Sequence, residues 1–96
     1  WYDGVFVLEK PDGSWKKVGK LPRPMGYGVA LTVPGGVLCL GGADGERHYA
    51  DSFLLTYESG KLSTQKIPPL PLPLANPCGA VLGNTVYVAG GIESPM

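Results

Sequence analysis

The sequence predicts an all-β fold assembled from short antiparallel strands, and three observations lead to this prediction. Fifteen Gly and ten Pro are spread over the 96 residues without a regular spacing. They separate apolar runs of about five residues, which is the length of an ordinary strand. The chain also matches itself when it is shifted by 49 residues. Frequent turns between short, repeated apolar runs indicate a β-repeat fold without helices.

The internal repeat determines the predicted architecture. Residues 21–42 align with residues 70–91 without a gap, and each copy begins with Leu-Pro and ends with a glycine doublet. A period of about 50 residues with strand-like segments is typical of a β-propeller, in which each repeat forms a four-stranded blade. The fold class predicted here is therefore an all-β propeller fragment of about two blades.

One repeat contains four apolar segments bounded by turn residues, and these are the four strands of a blade. From the inner to the outer strand they cover residues 29–33, 36–40, 52–57 and 62–67. Pro34-Gly35 separates the first two strands, and Ser59-Gly60 separates the last two. The proline-rich segment that follows is expected to cross over to the next blade.

Residues 1–96 then divide into three parts of one partial propeller. Residues 1–20 would be the outer strands of one blade, residues 21–69 a full blade, and residues 70–96 the inner strands of the next. These are too few strands to close a ring, and an open propeller exposes strand edges. We therefore expect the remaining blades, or another chain, to complete the fold.

The charge balance and the cysteines limit the classes of partner. Eight Lys plus Arg balance eight Asp plus Glu, so no overall field favours nucleic acid or a membrane surface, and neither is expected as a partner. Cys39 and Cys78 form no disulfide framework, and with the single His48 they have no metal-ligand spacing. We expect no metal and no cofactor. Both cysteines align with valines and are predicted to be small core residues.

The glycine doublets, Gly41-Gly42 and Gly90-Gly91, resemble the diglycine mark of kelch repeats. Those repeats also carry a Tyr and a Trp seven positions apart. Here each copy keeps half of that pair, Trp15 in one and Tyr57 in the other. The propeller is therefore expected to be of the kelch type.

A longer resemblance covers almost the whole chain. The runs GYGVALTVPGGVLCLGGADGERHYADSFLL and LPLPLANPCGAVLGNTVYVAGG are similar to the bacterial sialic acid mutarotases, or N-acetylneuraminate epimerases, and especially to their cyclically permuted branch. The resemblance implies a six-bladed kelch propeller, an isomerase that interconverts the anomers of N-acetylneuraminate by cofactor-free acid/base ring opening. It also implies a periplasmic or otherwise exported location. The present segment alone is expected to be inactive.

The resemblance does not supply a catalytic residue. In the mutarotases an important Glu follows the Gly that ends the second strand, and an Arg lies six residues later. The matching positions here hold Ala43 and Tyr49. The acid/base pair is therefore expected in another blade, and the catalytic residues of this chain are unknown.

A substrate-binding face is predicted from the connections between strands. In an up-and-down blade, the connection from strand two to strand three opens on the same face as the crossover to the next blade. Residues 41–51 form an unusually long connection of this kind, and long loops on a rigid scaffold often carry function. Together with the crossover at residues 21–28, it holds both arginines of the chain, whose forked guanidinium suits a carboxylate. The predicted contacts of an anionic sugar are Arg23, Tyr27, Glu46, Arg47, His48 and Tyr49.

Other interpretations of these residues stay open. Glu46 and Arg47 would also be compatible with a solvated loop pair, and Asp51 with a structural residue that forms a turn. For the whole protein, the alternative function is a kelch-repeat module that binds a protein or a carbohydrate without catalysis. A sugar oxidase-like propeller, with Tyr, His and Cys metal ligands in other blades, is a third hypothesis.

Overall fold

The computed structural model describes residues 1–95, which contain eight β-strands and no helix. The strands are β1 (Gly4–Val7), β2 (Lys16–Lys20), β3 (Val29–Val33), β4 (Gly36–Leu40), β5 (Ser52–Glu58), β6 (Lys61–Lys66), β7 (Cys78–Leu82) and β8 (Thr85–Ala89). The predicted all-β class is confirmed, and the four strands predicted for the full repeat end within one residue of β3 to β6. Over the same range, no helix has the length and apolar character needed to cross a membrane.

The strands form three antiparallel sheets in chain order. β1 pairs with β2, β3 to β6 form one four-stranded sheet, and β7 pairs with β8. Each strand of the central sheet pairs with the strand next to it in sequence, as in an up-and-down blade. One four-stranded sheet between two two-stranded sheets is consistent with a fragment of a kelch-like propeller. The division into partial blades at residues 20 and 69 stays a prediction.

The hairpin between β5 and β6 is closed by a tight two-residue turn. Ser59 and Gly60, between β5 and β6, both have positive φ, at 52° and 77°. Two consecutive residues with positive φ match the right-handed twist of the strands that they connect. Glycine reaches this region without steric cost, so Gly60 can complete a turn that most residues would strain.

The core of the described chain lies where β4 ends and β5 begins. Leu38 is 7% exposed, Leu40 4% and Phe53 3%. In the sheet Leu40 pairs with Ser52, which is also buried. Burial of each large apolar side chain contributes roughly 1.5 to 3 kcal/mol. The best-packed part of the blade therefore supports the connection at residues 41–51.

Neighbouring sheets pack face to face through small residues. A methyl group on Gly79 in β7 would lie 3.2 Å from Cγ2 of Val29 and 3.3 Å from Cδ1 of Leu31. On the other side, a methyl group on Gly19 in β2 would lie 2.7 Å from Cδ2 of Leu62. The absence of a side chain at Gly79 and Gly19 lets the sheets approach closely at these points.

The two cysteines differ in burial, and the prediction that both are core residues is wrong for one of them. Cys39 is half-buried in β4, and its burial raises the pKa of its thiol. Cys78 begins β7 and is exposed. Its equivalent Val29 is half-buried because β3 packs against β7, whereas the corresponding face of β7 is open to solvent.

The 49-residue sequence repeat is also a structural repeat. Gly26 and Ala43 exchange two backbone hydrogen bonds, of 2.9 and 2.8 Å, and Ala75 and Ile92 do the same with the same two lengths. Each residue of the second pair lies 49 positions after its equivalent in the first. The start of each inner strand is thus fastened to the loop that follows the second strand.

Large apolar side chains remain on the surface of the described chain. Eleven of them are exposed, and they lie mostly on the two-stranded sheets and on the crossovers. In β8, Tyr87 is 53% exposed and Val86 is 40% exposed. The expectation that other blades or another chain cover these surfaces stays a prediction.

Candidate functional site

Three connections leave the same end of the sheets, because antiparallel strands alternate in direction. They cover residues 21–28, 41–51 and 67–77. The first two, together with Trp1, border a shallow, open cleft of about 700 Å³. The residues that line it are Trp1, Arg23, Pro24, Asp44, Gly45, Glu46 and Tyr49.

Asp44 shapes the loop at the edge of this cleft. One oxygen of its carboxylate accepts hydrogen bonds from the backbone amides of Glu46, at 2.8 Å, and Arg47, at 3.0 Å. Such an Asx turn reverses the chain locally. The Asp44 amide donates in turn to the Arg47 carbonyl at 3.0 Å. The structure thus assigns to Asp44 the turn-forming role that the sequence suggested for Asp51.

The second carboxylate oxygen of Asp44 accepts a hydrogen bond from the Tyr49 hydroxyl. This bond, followed by those from the amides of Glu46 and Arg47, lowers the pKa of Asp44 from 3.8 to about 2. Hydrogen bonds to an ionised carboxylate favour the charged form. Asp44 is therefore an anion over the whole physiological pH range.

Arg23 enters the cleft from the crossover and is held by the long loop. Its Nε lies 2.9 Å from Oδ2 of Asp51, and its guanidinium carbon lies 4.1 Å from the centre of the Tyr49 ring. The interaction with Tyr49 is the main cause that raises the pKa of Arg23, and the charges of Asp51 and Asp44 add to it. The Arg23 side chain is still 44% exposed. At that exposure the ion pair is worth at most about 1 kcal/mol, so its main effect is to orient the guanidinium.

Trp1 and Tyr27 form an aromatic corner beside the charged groups. Their ring centres are 5.6 Å apart and the planes meet at 71°, which is an edge-to-face contact. Trp1 is 62% exposed and Tyr27 59%. Trp1 lines the cleft, whereas Tyr27 contacts Trp1 and is not part of the lining.

His48 connects the loop at residues 41–51 to the segment that follows β8. Its Nδ1 lies 2.7 Å from the carbonyl oxygen of Ile92. Because a carbonyl only accepts, this bond requires the proton on Nδ1. His48 also forms a backbone bridge with Ala43. This contact between repeats gives His48 a structural role in the described chain.

The structure brings together some of the residues predicted to bind the sugar and separates others. Arg23, Glu46 and Tyr49 line one cleft. Tyr27 contacts the ring of Trp1, and His48 is hydrogen-bonded to the backbone carbonyl of Ile92. The last of the six, Arg47, has its backbone in the Asx turn and an exposed side chain. Their contact with a sugar stays a prediction.

Four residues that line the cleft were not among the predicted contacts, namely Trp1, Pro24, Asp44 and Gly45. Asp44 is followed by Gly45, and Asp-Gly is a recognised turn signal that could have identified it. Trp1 carried no such signal, because its position depends on how one blade packs on the next. Among residues 1–95, no three His, Cys, Asp or Glu side chains are grouped as they would be in a metal site.

The positions where the resemblance implies a Glu and an Arg have other environments here. Ala43 is 3% exposed and forms backbone bridges with Gly26 and His48. Tyr49 carries the guanidinium of Arg23 over its ring. A guanidinium is therefore present near position 49, but it comes from the crossover and not from the loop.

Comparison with known proteins relates the chain to one group of enzymes. No protein-family model matches it. The N-acetylneuraminate epimerase of Brucella suis is 39% identical over 66 residues, which are 68% of this chain and 16% of that protein. That of Pasteurella multocida is 33% identical over 66 residues, 68% of this chain and 17% of the relative. That of Yersinia pestis is 36% identical over 63 residues, 65% of this chain and 16% of the relative.

The matched segment thus spans about a sixth of the length of these relatives. Within the chain it covers about two thirds of the residues. The resemblance to the sialic acid mutarotases is confirmed, and the chain is a sequence relative of the N-acetylneuraminate epimerases.

Proposed function

We propose that the protein interconverts the anomers of N-acetylneuraminate and that the cleft at residues 21–28 and 41–51 contacts this sugar. The names of the matched relatives support the substrate class. The observation that carries the proposed contact is Arg23, whose guanidinium is oriented by Asp51 and Tyr49 yet remains partly exposed in the cleft.

The sugar's carboxylate is the group that suits Arg23. A guanidinium presents several N–H donors in one plane, and it can bind a carboxylate through two of them. Only Nε is engaged with Asp51 in the ion pair. Glu46, which lines the same cleft and is exposed, can accept hydrogen bonds from sugar hydroxyl groups. Arg47, His48, Tyr27 and Tyr49 remain proposed contacts in the complete protein.

The proposed reaction is acid/base ring opening without a cofactor. A base takes the proton of the anomeric hydroxyl, the bond between the anomeric carbon and the ring oxygen breaks, and an acid protonates the ring oxygen. Rotation in the open-chain ketone and reversal of the proton transfers close the ring on the other face. Oxidation states do not change, so the step consumes no electron acceptor. Ala43 and Tyr49 give no acid/base pair at the family positions, and we place that pair in another blade.

Closure of the propeller is part of the proposal. In the described chain β1 pairs only with β2 and β8 only with β7, so each has an unpaired edge. Unpaired edges and exposed apolar faces favour pairing with further strands. We propose that the remaining blades, on the same or another chain, cover them.

Saturation-transfer NMR tests the proposed function. The complete protein is mixed with N-acetylneuraminate, and exchange between the two anomer signals is measured against protein-free buffer. Faster exchange with the protein is expected. Exchange at the buffer rate, in a protein whose circular dichroism spectrum is that of a folded β-protein, would refute the proposal. Binding of the sugar without faster exchange would instead support a binding module.

A further inference from the structure

We propose that Trp1 is a specificity-determining wall of the cleft, which receives the N-acetyl group of the sugar while Arg23 receives its carboxylate. Tyr27 acts as a positioning residue for Trp1. This inference rests on the proposed function, because it names the part of that substrate which this side of the cleft recognises.

The cleft has one charged side and one apolar side. Arg23, Asp44 and Glu46 are charged, whereas the large Trp1 ring is exposed to the same space. An aromatic ring beside a few polar groups that fix a ligand's orientation is a combination found in small-molecule sites, and here both face one open cleft. A small ligand that matches this lining has a carboxylate for Arg23, hydroxyl groups that can donate to Glu46, and an apolar group for Trp1.

Glycine residues leave the room that the Trp1 ring occupies. A methyl group on Gly45 would lie 3.0 Å from Trp1 Nε1, and one on Gly26 would lie 3.2 Å from Trp1 Cζ3. Both distances are tighter than ordinary van der Waals contact, so a side chain at either glycine would displace the ring. The loop and the crossover together therefore fix the position of the indole at the side of the cleft.

Tyr27 contacts the Trp1 ring edge to face, and the backbone of Tyr27 has an unusual conformation. Its φ is 61°, and the equivalent residue in the next repeat, Asn76, has a φ of 55°. The backbone amide of Asn76 donates a 2.7 Å hydrogen bond to the backbone carbonyl of Tyr27, so the two equivalent positions are in direct contact. Asn tolerates positive φ far better than most residues. Tyr27 is therefore more strained in its backbone than an asparagine would be. In this proposal its edge-to-face contact with Trp1 compensates for that strain.

The test compares two sugars on the complete protein by isothermal titration calorimetry. One is N-acetylneuraminate, and the other is the analogue with a hydroxyl in place of the acetamido group. The wild-type protein should prefer the N-acetyl sugar by about fourfold or more, which is the effect of burying one methyl group. Trp1→Ala should bring this preference close to one. Tyr27→Asn, which keeps the backbone conformation found at Asn76, should reduce the preference part of the way.

Trp15 provides the matched control. It is 66% exposed, close to the exposure of Trp1, and lies between β1 and β2 at the opposite end of the sheets. Trp15→Ala should leave the preference unchanged. The inference is overturned if Trp1→Ala keeps the wild-type preference, or if the wild type binds both sugars with equal affinity. In either case, anomer exchange by the wild type would still support the proposed function. Absence of wild-type binding and exchange would overturn both.

Discussion

Replacing Tyr49 with Phe should raise the pKa of Asp44 while keeping an aromatic ring beside Arg23. The substitution deletes only the hydroxyl that donates to Asp44 and keeps the aromatic ring under the guanidinium. The Tyr49 hydrogen bond is the largest cause of the shift of the Asp44 pKa from 3.8 to about 2, and the amides of Glu46 and Arg47 and the charge of Arg47 also lower it. The pKa in the variant should therefore lie above 2 and below 3.8.

The sign of the linked stability follows from that direction. A carboxyl group whose pKa is lower in the folded state stabilises the fold above its unfolded value and loses this contribution as the pH falls. For Asp44 the contribution is complete above about pH 4 and disappears as the pH falls through about 2. In Tyr49→Phe the lower end of this window should move up toward pH 4.

The assay is an NMR pH titration of the complete protein with labelled aspartate carboxyl carbons, in which Asp44→Asn assigns the signal. Tyr87→Phe is the matched control, since it removes a hydroxyl from β8 and should leave the Asp44 titration unchanged. An Asp44 pKa of about 2 in Tyr49→Phe would refute the role given to the Tyr49 hydroxyl.

Four further results are expected. Asp51→Asn should weaken N-acetylneuraminate binding by at most about fivefold, measured by calorimetry, because it frees Arg23 from an exposed ion pair without removing it; complete loss of binding would contradict this. Phe53→Ala should lower the free energy of unfolding by about 3 to 5 kcal/mol in urea titrations, since Phe53 is buried. Ala43→Glu should lower the thermal midpoint of unfolding without increasing anomer exchange, because position 43 is buried. As its control, Ser14→Glu on an exposed loop should leave the thermal midpoint unchanged. Residues 1–96 expressed alone should bind a hydrophobic dye such as ANS through the exposed apolar faces, and no dye binding would argue against the need for further strands.

Local patterns were sufficient to predict the strands of the central blade. Each strand is a short apolar segment, and each hairpin turn has residues that suit it, such as Ser59-Gly60 with its two positive φ values. The gapless match of residues 21–42 with residues 70–91, at a shift of 49, then placed β7 and β8 by analogy with β3 and β4. These features were predictable because pairing and turns depend on residues close in sequence.

The contacts in the cleft depend on residues far apart in sequence, and they could not be predicted in the same way. Arg23 and Asp51 are 28 positions apart and come from two connections. The sequence identified the shared face but not this pair, so Asp51 was interpreted as a turn residue. His48 shows the same limit, because its partner is the backbone carbonyl of Ile92, 44 positions away. A backbone carbonyl exists at every residue and leaves no sequence signal.

The groups around Tyr49 suit the binding of an anion better than proton transfer. A guanidinium lies near position 49, and it belongs to Arg23 of the crossover, whose Nε pairs with Asp51. Asp44, the carboxylate bonded to the Tyr49 hydroxyl, accepts three hydrogen bonds, and its pKa of about 2 makes it a poor proton acceptor near neutral pH. In the proposed function Arg23 can bind the sugar's carboxylate, whereas efficient proton transfer requires a group whose pKa is closer to neutrality. Asp44 is therefore unsuited to be the base, which agrees with the proposal that the acid/base pair lies in a different blade.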